Sequence, residues 1–166
     1  RWHAPENDKY RKLFRRIGEN WLWVSRLAIS NDALSEILQD PAVKIWAVVD
    51  PNNIEVGILE LDFRITGECE IAFFGLVPEL TGQGHGKWLM AYAQQLAWGN
   101  RDEGAEGTEP IRRLWLHSCT LDAPAALSFY QKSGFIPFSR AVETFPDPRL
   151  TGVYPRTAAP HIPLIE

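Results

Sequence analysis

From Asn7 onward, apolar residues recur at Tyr10, Leu13, Phe14 and Ile17, the 3.6-residue spacing of one buried helical stripe. Asn7 or Asp8 can cap this helix, which runs to about Arg16 and ends at Gly18. A second helix is predicted over 32–39, capped by Asn31 and closed by Asp40-Pro41. After it the period drops toward two. Residues 44–50, 54–65 and 69–77 read as strands separated by the turn signals Pro51-Asn52-Asn53 and Thr66-Gly67, giving an antiparallel meander. A glycine-rich turn, a helix over 84–98, a polar stretch GNRDEGAEGTEP that reads as a mobile loop, a strand over 112–119, a helix over 124–133 and a strand over 135–142 follow.

Strand, helix, strand, helix, strand in the second half implies an α/β arrangement with some parallel pairing. At 166 residues the chain is expected to form one domain, 1–166, and five of its twelve prolines fall in 146–166, which is expected to run extended over the surface. No run approaches 18 apolar residues and no basic-then-apolar leader opens the chain, so no membrane span or partner membrane is expected and the reading is cytoplasmic. The chain opens on Arg rather than Met, which fits a fragment or a processed form.

A net charge of −4 argues against a nucleic acid partner, which needs a clustered excess of Lys and Arg. Charge is uneven, however: residues 1–26 are basic, and the run KYRKLFRR there reads as a solvated helix face rather than a binding patch. Two cysteines, Cys69 and Cys119, are too few for a disulfide framework, and no Cys or His pair has metal-ligand spacing, so no metal is expected.

Residues 76–87 read LVPELTGQGHGK. Gly82, Gly84 and Gly86, set between a strand and a helix, make a backbone able to turn its amides toward a phosphate, although a tight turn can need such glycines for geometry alone. The P-loop pattern fails at Thr81 and Trp88, and the dinucleotide pattern fails at Lys87 or Leu89. The pattern [RQ]xxGx[GA] of the GNAT superfamily of acyl-CoA-dependent N-acetyltransferases fits residues 81–86, with Thr81 in place of the usual Arg or Gln. Residues 121–135, LDAPAALSFYQKSGF, resemble the second motif of that superfamily through Ala126, Tyr130, Gly134 and Phe135, with Ala123 where Asn is usual.

The resemblance covers roughly residues 8–145. It implies a mixed α/β fold, with a mostly antiparallel sheet of about six strands, about four flanking helices and a splayed strand pair holding the coenzyme. Only RWHAP precedes the first helix, where the family has its first strand, which leaves room for a missing N-terminal element. Acetyl-CoA is the implied co-substrate. Its pyrophosphate would meet Gly82, Gln83, Gly84, His85 and Gly86, with Lys87 either on phosphate or in solvent, and its pantetheine and acyl oxygen would meet main chain around Phe74, Leu76 and Val77.

Transfer to an amine needs a base, since an alkylammonium has a pKa of about 10.4, and help for the departing thiolate. Glu70, at the start of the strand entering the glycine turn, is the implied base, and Tyr130 the implied acid. The acceptor is expected to be a small-molecule amine or a protein amino group, with an acidic surface of Glu60, Asp62, Glu68 and Glu70 favouring a cationic one. Trp21, Trp23 and Trp46 lie in or next to the segments that shape the acceptor cleft in the family, though core packing is the ordinary role of such residues. The chain is expected to be a monomer or homodimer. The alternative function is a non-catalytic acyl-CoA-binding module or sensor, and RNA or ribosome docking through the basic first helix is a third reading.

Overall fold

The computed structural model describes residues 1–99 and 110–165. Helix α1 (Asn7–Gly18) buries Tyr10, Leu13, Phe14 and Ile17, the stripe that its periodicity predicts. A Cβ at its last residue, Gly18, would lie 2.4 Å from that of Trp23, so glycine is required there. A 3-10 turn at Glu19–Trp21 and a single helical turn, α2 (Ser25–Ala28), lead to α3 (Asn31–Gln39). Ser30, not Asn31, caps α3, its hydroxyl accepting from the Ala33 amide at 3.2 Å. Asn31 instead accepts a hydrogen bond from Arg11.

Strands β1 (Val43–Val49), β2 (Glu55–Asp62) and β3 (Glu68–Leu76) form the expected meander, and β4 (Arg113–Leu116) adds in parallel to β3, giving the sheet order β1-β2-β3-β4. Ahead of α1, the Trp2 amide donates to the Ile45 carbonyl of β1 at 2.8 Å. Between β3 and β4 stand a second 3-10 turn at Pro78–Leu80 and helix α4 (His85–Trp98); α5 (Ala126–Lys132) follows β4. Residues 56–61 of the central strand β2 are all buried, because helices cover both faces. On one face α1 and α3 close a core around Tyr10, Phe14, Ile45 and Ile58; on the other α4 closes one around Leu59, Leu61, Ile71, Leu89 and Met90.

Three expectations are corrected. The sheet has four strands among the described residues, not about six, and five α-helices flank it. The expected strand over 135–142 pairs with nothing in the sheet: Pro137 offers no amide to a ladder, Ile136 and Val142 are exposed, and Phe138 lies against the Arg113 guanidinium, 4.0 Å from its ring centre. Finally, the proline-rich tail does not run extended. Arg149 is buried in it and donates to the Asp147 carboxylate and to the carbonyls of Ala158, Ile162 and Pro163 at 2.7–3.3 Å, drawing the segment into successive turns. The stretch over 99–110 that reads as a loop falls almost wholly outside the described residues.

The basic run of α1 does more than face water. Arg11 donates to the carbonyls of Arg26 and Ile29, Arg15 to that of Val153, and Lys9 pairs with Glu55, so the run straps later segments onto the helix.

Close packing between α1, Trp23 and β3 leaves no room at Gly75, where a methyl would sit 2.6 Å from Ile17 Cγ2 and 3.0 Å from the Trp23 ring. Gly75→Ala is expected to cost about 1–3 kcal/mol of unfolding free energy. Urea denaturation measures it, and an unchanged midpoint would mean that the α1 layer yields freely.

Candidate active site

The turn after the second 3-10 segment is shaped by two left-handed glycines, Gly82 (φ +75°) and Gly84 (φ +88°). A Cβ at either would meet nothing of the protein within 4 Å, so their Cα faces are open to solvent. Gln83 donates from its side chain to the Glu79 carbonyl at 2.7 Å, and the Thr81 hydroxyl donates to that of Pro78 at 2.7 Å. The Thr81 side chain is thus turned back onto its own loop. Beyond Gly84 the first amides of α4, at His85 and Gly86, lack intrahelical acceptors and sit at the positive end of the helix dipole. Gly86 lies next to Phe129 of α5, while His85 and Lys87 are exposed.

This turn follows a strand whose limited pairing with β4 leaves a gap in the sheet. Strands β3 and β4 pair only from Glu68↔Arg113 to Ile71↔Leu116, and beyond Ile71 they separate. At the same point the β2–β3 register slips, leaving Ala72 as an extra residue between Ile71, opposite Leu61, and Phe73, opposite Glu60. The Val77 amide donates to the Val56 carbonyl at 2.9 Å. Because hydrogen-bonded and non-bonded pairs alternate in an antiparallel ladder, the main-chain groups of Phe74 and Leu76 then point away from β2, into the gap. Val77, expected beside them, spends its amide on β2 and its carbonyl on the Leu80 amide.

Tyr130 stands over this gap on the α4 face, its ring 6.5 Å from that of Phe74 and 6.3 Å from that of Phe135. Burial, with a smaller contribution from Asp122, pushes its phenol up to about 12, so it keeps its proton at neutral pH. Asp122 is held in turn by the Ser118 hydroxyl and the Cys119 amide.

Glu70 lies on the opposite face. Its neighbours Cys69 and Ile71 belong to the core under α4, so the pleat directs Glu70 away from Tyr130. It lines a cleft of about 270 Å³ with Asp62, Arg64, Ile65, Glu68 and Trp115, and its Oε1 lies 3.5 Å from His117 Nε2. Burial raises its carboxyl above the usual value, against the pull of His117. The indole N–H of Trp115 is buried with no hydrogen-bond partner among the described residues. The structure therefore brings Tyr130 to Phe74, sets the glycine turn after the end of β3, and places Glu70 on the other face of the sheet. Of the tryptophans, Trp23 packs into the α1 core against Phe14 and Phe73, Trp46 into the core under α4, and Trp21 against His161.

Glu60 is not part of an acidic surface. It is fully buried on β2 and accepts from the Tyr10 hydroxyl and from Arg26, each at 2.6 Å, while the Arg26 guanidinium rests 4.9 Å from the centre of the Phe73 ring. Burial and the adjacent carboxylate hold the Tyr10 hydroxyl well above its ordinary value, so it remains a donor. This network was not foreseen from the sequence, where its signal is a lone carboxylate inside the apolar run of β2.

Residues 41–137 match the family model described as an acetyltransferase (GNAT) domain. No curated protein sequence matches the chain. Solved structures with a similar fold include a transcriptional regulator from Bacillus halodurans C-125 (17% identity, TM-score 0.62, covering 87% of this chain and 97% of that one). An aminoglycoside acetyltransferase from an uncultured soil metagenomic sample, in complex with sisomicin, gives 15% identity and a TM-score of 0.61 over 87% of this chain and 91% of that one. A chimeric spermidine N-acetyltransferase from Vibrio cholerae and hSSAT gives 21% and 0.60 over 86% and 84%.

The buried pair under α2 carries the prediction for this region. Arg26→Ala strands the Glu60 carboxylate in the core and is expected to lower the unfolding free energy by about 3–5 kcal/mol, whereas replacing Tyr10, Arg26 and Glu60 together by apolar residues recovers most of it. Denaturant unfolding of the wild type and the two variants measures both.

Proposed function

The chain belongs to the acetyltransferase (GNAT) family, and on that premise we propose that it transfers an acetyl group from acetyl-CoA to a primary amine by direct attack in a ternary complex. The parting of β3 from β4 carries this reading. It turns main-chain groups of Phe74 and Leu76 into a gap that opens toward the amides of the glycine turn, with an acidic cleft on the far side.

Acetyl-CoA fits the residues present. Its pyrophosphate lies against the amides from Gly82 to Gly86, with Gln83, His85 and Lys87 around it, since the open Cα faces of Gly82 and Gly84 allow close approach. Pantetheine would lie beside β3 beyond the point where its pairing with β4 ends, held by main-chain groups of Phe74 and Leu76. The thioester carbonyl accepts from main-chain amides there, which are fixed before the reaction and cost no reorganisation as charge develops on oxygen.

The amine enters from the face opposite α4. Glu70 takes its proton, and the raised carboxyl suits that role. Glu70 and Phe74 lie four positions apart along β3, about 13 Å at roughly 3.3 Å per residue, so the proton reaches the carboxylate through water. Tyr130 donates a hydrogen bond to the departing sulfur. With its phenol up to about 12, against about 8.5 for a thiol, it stabilises the thiolate as a donor more readily than by full proton transfer. Asp62, Glu68 and Glu70 around Trp115 favour a cationic acceptor, and the similar structures named for aminoglycoside and spermidine acetylation are in keeping with one.

A screen of amines with acetyl-CoA, read as released free thiol, tests the transfer. The alternative, a binding module without catalysis, is favoured by two departures, the inward-turned Thr81 and the Ala123 at the head of α5. Coenzyme binding without thiol release from any acceptor would decide for it.

Two variants probe the parts. Gly84→Val places a β-branched residue in a left-handed conformation at a local cost of about 1–2 kcal/mol and blocks approach to the turn. Acetyl-CoA affinity by calorimetry is expected to fall at least about tenfold while the fold persists. Glu70→Gln is expected to lower kcat/KM roughly 10²-fold near neutral pH and less as the pH approaches that of the free amine. The acidic limb of the wild-type profile, displaced upward by the raised carboxyl, should vanish with it; parallel profiles would remove Glu70 from the reaction.

A further inference from the structure

Helix α4 buries Leu89, Met90, Ala93 and Ala97 and leaves two large aromatics on its outer side, Trp88 at 58% exposure and Trp98 at 55%. The other described tryptophans are all at least partly covered. Trp88 stands in the first turn of the helix, four residues past Gly84. Its ring is held in place: the Tyr92 ring, one turn further on, lies parallel to it, with an interplanar angle of 3° and centroids 5.9 Å apart. Neither ring belongs to a core cluster among the described residues, so packing of the interior does not account for the pair.

Side chains on a helix lean toward its N-terminus, so each covers surface over the turn before its own Cα. Tyr92 therefore reaches back onto Trp88, and Trp88 reaches back over the start of α4. The free amides of His85 and Gly86 lie there, next to the open Cα faces of Gly82 and Gly84. His85 and Lys87 are exposed beside it. An anion held by these amides has a flat apolar surface within reach, backed by a second ring, and a cation next to that surface.

Acetyl-CoA has the chemistry to use this arrangement. Its pyrophosphate joins pantetheine at one end to an adenosine 3′-phosphate at the other, so a molecule whose pantetheine follows β3 leaves its purine outside the gap. We infer that Trp88, backed by Tyr92, is the stacking platform for the purine of acetyl-CoA, with Lys87 placed for the 3′-phosphate. This rests on the reading of the glycine turn as the coenzyme site, and adds a contact that none of the glycines makes. A ring fixed before binding loses little freedom when a base stacks on it. The platform also supplies affinity that the inward-turned Thr81 side chain does not.

Calorimetry on the full chain tests this with two probes: acetyl-CoA, and adenosine 3′,5′-bisphosphate, which carries the purine and the 3′-phosphate without pantetheine. Trp88→Ala is expected to raise both dissociation constants by a similar factor, roughly ten- to a hundredfold, the range that losing one base–aromatic stack supports. Trp88→Phe, which keeps a ring, should stay within about threefold of wild type, and Trp98→Ala should change neither constant. Unchanged affinities in Trp88→Ala, or an equal loss in Trp98→Ala, would overturn the inference. So would a wild-type dimer that Trp88→Ala converts to monomer in sedimentation with both affinities unchanged, since the platform would then belong to a second copy of the chain. In each of these cases acetyl-CoA still binds the wild type and the coenzyme reading stands. Wild-type protein that binds neither probe would overturn both.

Discussion

The separation of β3 from β4 after Ile71 is the constraint around which the rest of the molecule is arranged. A parallel pair that ended together would satisfy its edge groups internally; here β4 ends its pairing at Leu116 while β3 continues to Leu76. The slip at Ala72 coincides with the point of parting and re-aims the strand, placing Phe73 under α1 and Phe74 under α4 and α5. One extra residue therefore supplies both the exposed main-chain groups and the aromatic neighbour of Tyr130.

A strand that loses a partner on one edge has to be held by its faces. On the α1 side that hold is aromatic and ionic: Phe14, Trp23 and Phe73 pack together, and Arg26 bridges from the Phe73 ring to the buried Glu60 carboxylate. Such a pair is costly to desolvate and costlier to break, so it specifies where α2 sits more than it adds to stability. Arg11 and Arg15 of α1 act in the same sense, donating to main-chain carbonyls of later segments.

The two faces also divide the chemistry. Glycine turn, Tyr130 and Phe74 share one side, while Glu70, Asp62, Trp115 and His117 share the other. In the proposed reaction the coenzyme and the amine would approach from opposite sides and not compete for the same surface. The raised Glu70 carboxyl and the high Tyr130 phenol both follow from partial burial at this divide.

Much of this was legible along the chain because it is local. The 3.6-residue stripe of α1, the period-two strands with their turns, and the glycines ahead of α4 depend on neighbouring residues only, and each element forms close to where its pattern lies. The segments 81–86 and 121–135 likewise carried the family resemblance by themselves. What the sequence could not decide depends on partners distant in the chain. Residues 135–142 have the composition of a strand but pair with none among the described residues, and Glu60 reads as a surface acid until Tyr10 and Arg26 are brought over it. A proline-rich tail reads as extended until Arg149 finds carbonyls 9 to 14 residues away. Alternation along β3 predicts faces only up to Ala72, since a bulge is a property of two strands in register and leaves no mark in one of them. Sequence alone thus determined the elements and the chemistry they carry; tertiary structure decided which side of the sheet each group faces, because pairing and burial are set by contacts that no single segment contains.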